Sequence, residues 1–375
     1  MRMLMRLPSG LSESAAEKEN RMYTFCEKAK ALTPYDPSEG VYRVRMDANE
    51  SFLLPTEQDR MAMAQAAAET ALNRYPDPLA REVCASFARA YGVKPELVTA
   101  GNGSDELISI ILSVFLQKGE KVLTLSPDFS MYRFYTSITE TPCITLEKGA
   151  DLRISVDQVL DTVERESVRL LIFSNPCNPT SVGLGREEVR RILRGTEALV
   201  VLDEAYMDFW DQSMLEEVED YDNLVILRTC SKMLGMAALR LGFAVANPQI
   251  TAALRAAKSP YNVNAVTQAM ANVVLANPVY RDVYRGLLIE SRNMLLDGFR
   301  KLQSDGLIDR VYDSCTNFVY LQLPDAGRIY TLLLDRGILI RRFGARHLRI
   351  TAGTQAENDE LLAVMRFLLT HEDIQ

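Results

Sequence analysis

The sequence predicts an α/β protein, with a mostly parallel central sheet flanked by helices and a smaller α+β domain after it. Three observations carry that expectation. Between about residues 46 and 260, short β-type runs alternate with helical patterns. The runs "KVLTLS", "RLLIFS", "ALVVLD" and "NLVILRT" are apolar almost throughout, as strands buried on both faces must be. Each is followed by a polar motif, respectively "SPDF", "NPCNPT", "DEAY" and "CSK". Ligands of open α/β sheets sit at the carboxyl ends of the strands, so four polar motifs at four strand ends converge on one cleft.

The chain has 375 residues, more than the roughly 150 of a typical domain, so two domains are expected. Residues 1–20 are mixed and aperiodic and read as a loosely ordered extension, with Met22 a candidate start. Residues 21–45 form an N-terminal arm, 46–264 the large α/β domain, and 265–375 the small domain, which opens with a long helical stretch, Ala265 to Leu302. A strand "NFVYLQL", a helix closed by Gly337 and a hairpin of "ILIRRF" and "HLRIT" follow. Thr354 and Glu357 then make a capping box for a terminal helix whose apolar face is "LLAVMRFLL".

Composition removes several function classes. A net charge of −8 offers no positive field to draw in nucleic acid or an anionic membrane, so neither is expected as a partner. The longest apolar run, Leu107 to Leu116, is far short of the about 20 residues that span a bilayer. Six scattered cysteines without a CxxC pair or a secretory segment before them predict a reducing cytoplasm. Only His347 and His371 exist, which leaves no basis for a Ser/His triad or a histidine-rich metal site; no metal is expected. Chemistry must come from Lys, Asp, Tyr or a cofactor.

The motifs taken singly leave alternatives open. "GNGSDEL", Gly101 to Leu107, is either a phosphate-binding helix start or a turn capped by Ser104. "NPCNPT", Asn175 to Thr180, fixes its backbone and aims amide side chains, or simply opens a loop. Asp203 of "DEAY" is either a helix cap or an anion held for a buried cation. Lys232 of "CSK" is a surface lysine or, with Arg240 eight residues on, an amine able to attack a carbonyl. Pyridoxal phosphate would answer all of them: an aldehyde for the lysine, a phosphate for the helix start, a ring nitrogen for Asp203 and a ring hydroxyl for Asn and Tyr.

Together the motifs resemble the fold-type I, pyridoxal-phosphate-dependent aminotransferases (class I/II), and more closely the histidinol-phosphate aminotransferase family. The resemblance spans nearly the whole chain. It rests on "LTPY", "DANE", "RYPDP", "GNGSDE", "NPCNPT", "DEAY", "CSK" with Arg240, "SPYNVN", "TNF" and "LRITAGT", in order and in spacing. It implies pyridoxal 5′-phosphate as cofactor, bound covalently by Lys232, with Asp203 on the ring nitrogen and Asn178 and Tyr206 on the phenolic oxygen. It places Phe129 on the ring face, and Ser104, Asp105, Thr229, Ser231 and Arg240 around the phosphate, with Tyr75 reaching that phosphate from the other subunit of a homodimer. Lys232, Asp203 and Tyr206 would be catalytic, with Lys232 moving a proton from substrate Cα to the cofactor. Tyr35, Asn49, Arg341 and Arg349 would bind substrate, and Arg342, alternating with Arg341, would face solvent.

The implied reaction converts histidinol phosphate and 2-oxoglutarate to imidazole-acetol phosphate and glutamate, a step of histidine biosynthesis. The chain departs from the family pattern at four places. Ser181 stands where Gly is usual, Phe129 where Tyr is common and Ala238 where Gly is usual, and "DANESF" carries Asp47 for Asn and lacks an Asn-Pro after Glu50. The rival readings are an aromatic or broad-specificity aminotransferase, a threonine-phosphate decarboxylase and, more remotely, a non-catalytic cofactor-binding regulator. The first two would keep Lys232, Asp203 and Arg240.

Overall fold

The computed structural model describes residues 23–33 and 40–371. By contacts the chain divides into two units, Met1–Gly40 and Val41–Gln375. In the first, Glu27–Ala31 forms a short helix on which Lys30 Nζ meets Glu27 Oε1 at 2.6 Å. Tyr35 and the extension 1–20 lie outside the described residues.

In the second unit the strands are β1 (Val44–Arg45), β2 (Val98–Gly101), β3 (Lys121–Ser126), β4 (Cys143–Glu147), β5 (Val168–Ser174), β6 (Leu199–Asp203), β7 (Leu224–Thr229), β8 (Gly242–Ala246), β9 (Arg310–Val311), β10 (Phe318–Gln322), β11 (Ile338–Leu339), β12 (Arg341–Phe343) and β13 (His347–Thr351). Seven of them make one sheet in the order β2-β8-β7-β6-β5-β3-β4. Only β8 runs against its neighbours; the five strands from β7 to β4 are parallel. The continuous apolar runs are explained by burial on both faces. Along β5, Leu171 and Phe173 pack into one core while Leu170 and Ile172 pack into the other, and β6 and β7 divide in the same way.

A four-stranded antiparallel sheet, β12-β13-β10-β9, follows the helix Arg285–Ser304. Here one face is apolar and one polar. Val319, Leu321, Leu348 and Ile350 enter a core with Leu361, Met365 and Leu368 of the terminal helix. Tyr320 and Arg349 are paired on the opposite face. Val44 and Met46 belong to this same core, and β1 pairs in parallel with β11.

The expected continuous helix from Ala265 to Leu302 is broken. Ala265–Ala276 ends before Asn277-Pro278, a π-type turn covers Tyr280–Tyr284, and a second helix runs Arg285–Ser304. Proline disfavours helical backbone in the residue before it, which stops the first helix. Ser104 is not a cap: Gly103, at φ +82°, caps the helix Ser104–Val114, and no side chain bonds there. Ser181 lies at φ +65°, the left-handed region that glycine enters freely, which accounts physically for the residue it replaces. Arg342 is exposed, as alternation requires, and the Thr354–Glu357 capping box is formed. Among the described residues no helix is long and apolar enough to cross a membrane, and no group of His, Cys, Asp and Glu could hold a metal ion.

Candidate active site

The strand-end motifs meet at the carboxyl edge of the parallel strands. Asp203 closes β6 and is 4% exposed. Its Oδ2 accepts the Tyr132 hydroxyl at 2.7 Å and its Oδ1 the Ala205 amide at 3.1 Å. No Lys or Arg ion pair with it occurs among the described residues. Burial is the main cause that pushes its carboxyl up to about 7, against the two hydrogen bonds, which lower it. A buried carboxylate that lacks a cation suits a group bringing a protonated ring nitrogen.

Lys232 follows β7 by three residues and is half-buried. Its Nζ donates to the Ala48 carbonyl at 3.0 Å and sits 5.6 Å from the centre of the Tyr206 ring. The Tyr206 hydroxyl accepts from Asn49 Nδ2 at 2.9 Å. Asn49, at φ +55°, is held in turn by Thr351 Oγ1, which accepts its backbone N–H at 3.0 Å, and by Asn317 Nδ2, which donates to its carbonyl at 3.1 Å.

Arg240, in left-handed backbone at φ +50°, gathers the phosphate-type donors. Its guanidinium is 3.4 Å from Ser231 Oγ and 3.4 Å from Asp105 Oδ2, and Thr229 Oγ1 accepts the Ser231 amide at 3.1 Å. Gly103 stands beside Arg240 Nη2 at the helix start, and its φ of +82° is backbone that glycine adopts freely. Burial raises the Asp105 carboxyl, with Arg240 and Lys232 opposing.

Arg349 is 7% exposed, and among the described residues no Asp or Glu forms an ion pair with it. Its Nη1 donates to Asn178 Oδ1, its Nη2 donates to the Asp47 carbonyl, and Nε is unpartnered. Burial is the chief cause holding its guanidinium down to about 10. Arg341 is its cross-strand neighbour and half-buried. An arginine buried without a counter-anion is a site for one.

The Phe129 ring meets the Tyr132 ring edge-on at 5.6 Å. Tyr75 stands apart, 81% exposed and stacked on Tyr261 at 4.6 Å. Tyr132, which bonds Asp203, belongs to none of the motifs. In "SPDFSMYRF" its only signal is position, three residues after Phe129 on a helix following a strand end.

The sheet order and the lysine, carboxylate and arginine at its carboxyl edge are those of an α/β cofactor-binding protein. Residues 43–365 match the model of the family described as aminotransferase class I and II. A histidinol-phosphate aminotransferase of Clostridium kluyveri is 35% identical over 342 residues, 90% of this chain and 96% of that protein. The crystal structure of histidinol-phosphate aminotransferase from Sinorhizobium meliloti in complex with pyridoxal-5′-phosphate superposes with a TM-score of 0.82 at 25% identity, over 93% of this chain and 100% of the other. L-threonine-O-3-phosphate decarboxylase from Porphyromonas gingivalis shares the fold alone, at 21% identity and a TM-score of 0.73 over 87% of this chain and 99% of that one. The chain belongs to the class I and II aminotransferases and, within them, to the histidinol-phosphate aminotransferase family.

Proposed function

We propose that this aminotransferase carries the amino group of histidinol phosphate to 2-oxoglutarate, giving imidazole-acetol phosphate and glutamate, as a cytoplasmic homodimer that uses pyridoxal 5′-phosphate. One observation carries the substrate reading. Arg349 and Lys232 donate to consecutive carbonyls, those of Asp47 and Ala48, so a buried arginine without a counter-anion and a reactive amine share one short stretch of backbone. Histidinol phosphate has no carboxylate and glutamate has two, so one pocket must take a phosphate in one half-reaction and a carboxylate in the other. A guanidinium fork serves both.

The residues fit the cofactor: a lysine for its aldehyde, a buried carboxylate without a cation for its ring nitrogen, and an arginine with a serine and a helix start for its phosphate. When bound, the cofactor supplies an electron sink for the substrate Cα–H bond as it breaks. Asp203 would hold the ring nitrogen in its protonated form, Asn178 and Tyr206 would bond the phenolic oxygen, and Phe129 would pack on the ring. Ser104 and Asp105 amides, Thr229, Ser231 and Arg240 would hold the phosphate. Lys232 Nζ would serve as the base that moves the substrate Cα proton. Arg349 and Arg341 hold the substrate anion, with Asn49 beside them.

Exposed Tyr75, Leu72 and Tyr261 support a dimer in which Tyr75 reaches the partner's cofactor phosphate. Six free cysteines support a reducing compartment. The test is glutamate formation from 2-oxoglutarate with histidinol phosphate, set against phenylalanine as donor and against carbon dioxide release from phosphothreonine. Carbon dioxide release in place of glutamate would replace this reading with a decarboxylase.

A further inference from the structure

Behind the turn that carries Asn178 lies a buried cluster that transamination does not use. Lys148, just past β4, places Nζ 2.9 Å from Cys177 Sγ, 2.9 Å from the Pro127 carbonyl and 3.7 Å from Asp128 Oδ2. The side chains of Lys148 and Asp128 are each 1% exposed, and Cys177 is fully buried. The amine donates to the sulfur, and the thiol hydrogen points instead toward the Pro127 carbonyl at 3.5 Å. Cys84 and Cys143 differ: their thiols donate to the Leu79 and Ile144 carbonyls, at 3.8 and 3.9 Å, and no lysine amine is hydrogen-bonded to either among the described residues.

The cluster is wired to the candidate active site. Asp128 Oδ1 accepts the Ser174 hydroxyl and Oδ2 accepts the Ser174 amide at 3.3 Å. Ser174 Oγ then accepts the Asn178 amide at 3.1 Å. An ion pair from Lys148 to Asp128 and hydrogen bonds from Asp128 through Ser174 therefore lead to the backbone of Asn178, and Cys177 is the residue before Asn178. Asn178 Oδ1 in turn takes the Arg349 guanidinium.

We propose that Lys148 and Cys177 form a redox-sensitive modification site, at which dioxygen joins Nζ to Sγ through a single oxygen atom and so weakens the neighbouring site. The separation favours a one-atom bridge, because a direct S–N bond would require the two atoms to close much further. Sulfur and nitrogen each give up two electrons, and dioxygen takes all four. One oxygen atom stays in the N–O–S link and the other leaves as water. The ammonium and thiol together bring four hydrogens: one stays on nitrogen, two leave in water, and one departs as a proton by way of Asp128.

Burial, reinforced by Asp128 and opposed by Lys148, holds the Cys177 thiol above its ordinary range, so bulky thiol reagents find it inert. Dioxygen is small and apolar and needs only local breathing of the fold. Bridging removes the charge of Lys148 and leaves Asp128 buried without its cation, which disturbs the Ser174 bonds that hold Asn178.

The full chain is purified in air without thiols, and in parallel under nitrogen with dithiothreitol, then compared by intact mass and by mapping of protease fragments. The aerobic sample should be heavier by one oxygen less two hydrogens, with the peptides of residues 148 and 177 joined. Dithiothreitol should separate them and raise the transamination rate by about fivefold, the lower end of common coupling between sites. Cys177→Ala and Lys148→Arg should each abolish the mass change, and the arginine keeps a cation beside Asp128. Absence of the joined peptides, loss of two hydrogens without gain of oxygen, or a cross-link that leaves the rate unchanged would overturn the proposal. The mass readout does not depend on which amino donor the enzyme uses.

Discussion

The Tyr132 hydroxyl donates to Asp203 Oδ2 across 2.7 Å and ties the helix Met131–Ile138 to the end of β6. That bond favours the charged carboxylate, whereas burial favours the neutral acid, and burial wins in the cofactor-free protein. Tyr132→Phe should therefore raise the Asp203 carboxyl further and weaken its hold on a protonated ring nitrogen. A lost bond to a charged group costs about 1.5–3 kcal/mol, or about tenfold or more in affinity for pyridoxal phosphate. Titration of the cofactor-free variant by fluorescence checks this, and unchanged affinity would remove Tyr132 from the site.

Asp203 also predicts a pH dependence. Its folded carboxyl sits at about 7 and its unfolded one at about 4, so the folded chain binds the proton more tightly. The resulting stability is present below pH about 4 and is lost as pH rises through about 7, on the order of a few kcal/mol. Urea unfolding of the cofactor-free protein at about pH 5 and about pH 8 should show a larger decline for wild type than for Asp203→Asn, which does not titrate. Equal declines would mean that this carboxyl is not held up.

Arg349→Lys keeps a positive charge but loses the fork that spans Asn178 and the Asp47 carbonyl. Both half-reactions should fall, each by about 10²-fold in kcat/KM, the kinetic equivalent of about 2–3 kcal/mol. Single-turnover measurements with histidinol phosphate and with glutamate separate the two. A defect confined to the glutamate half would mean that the phosphate binds elsewhere.

Much of this architecture is legible in the sequence, because a strand buried on both faces has few ways to look other than "LLIF" or "LVVL". The polar residue that ends such a strand stands out against it, which is how Asp203 and Lys232 are found. Other features give no such contrast. β8, "GFAVA", and β2, "VTAG", are short and rich in small residues, so their pairing beside β7 rests on the tertiary structure. Tyr132 looks like any aromatic on a half-buried helix, and nothing in the chain announces that it meets a residue 71 positions away. Lys148 is 29 residues from Cys177 and outside any motif, and only the adjacency of β3 to both β4 and β5 brings the two together. The helix 265–302 is misjudged for a local reason, since periodicity continues through Asn277-Pro278 although the backbone cannot.

The most direct measurement is the rate of glutamate formation by cofactor-loaded Lys232→Ala, with histidinol phosphate and 2-oxoglutarate as substrates and the folded state checked by circular dichroism. A positioned acid or base contributes about 10²–10⁴-fold, and Lys232 also holds the cofactor, so the rate should fall by at least about 10⁴-fold with the fold intact. A folded variant turning over within about tenfold of wild type would contradict the assignment of Lys232 as the residue that moves the proton.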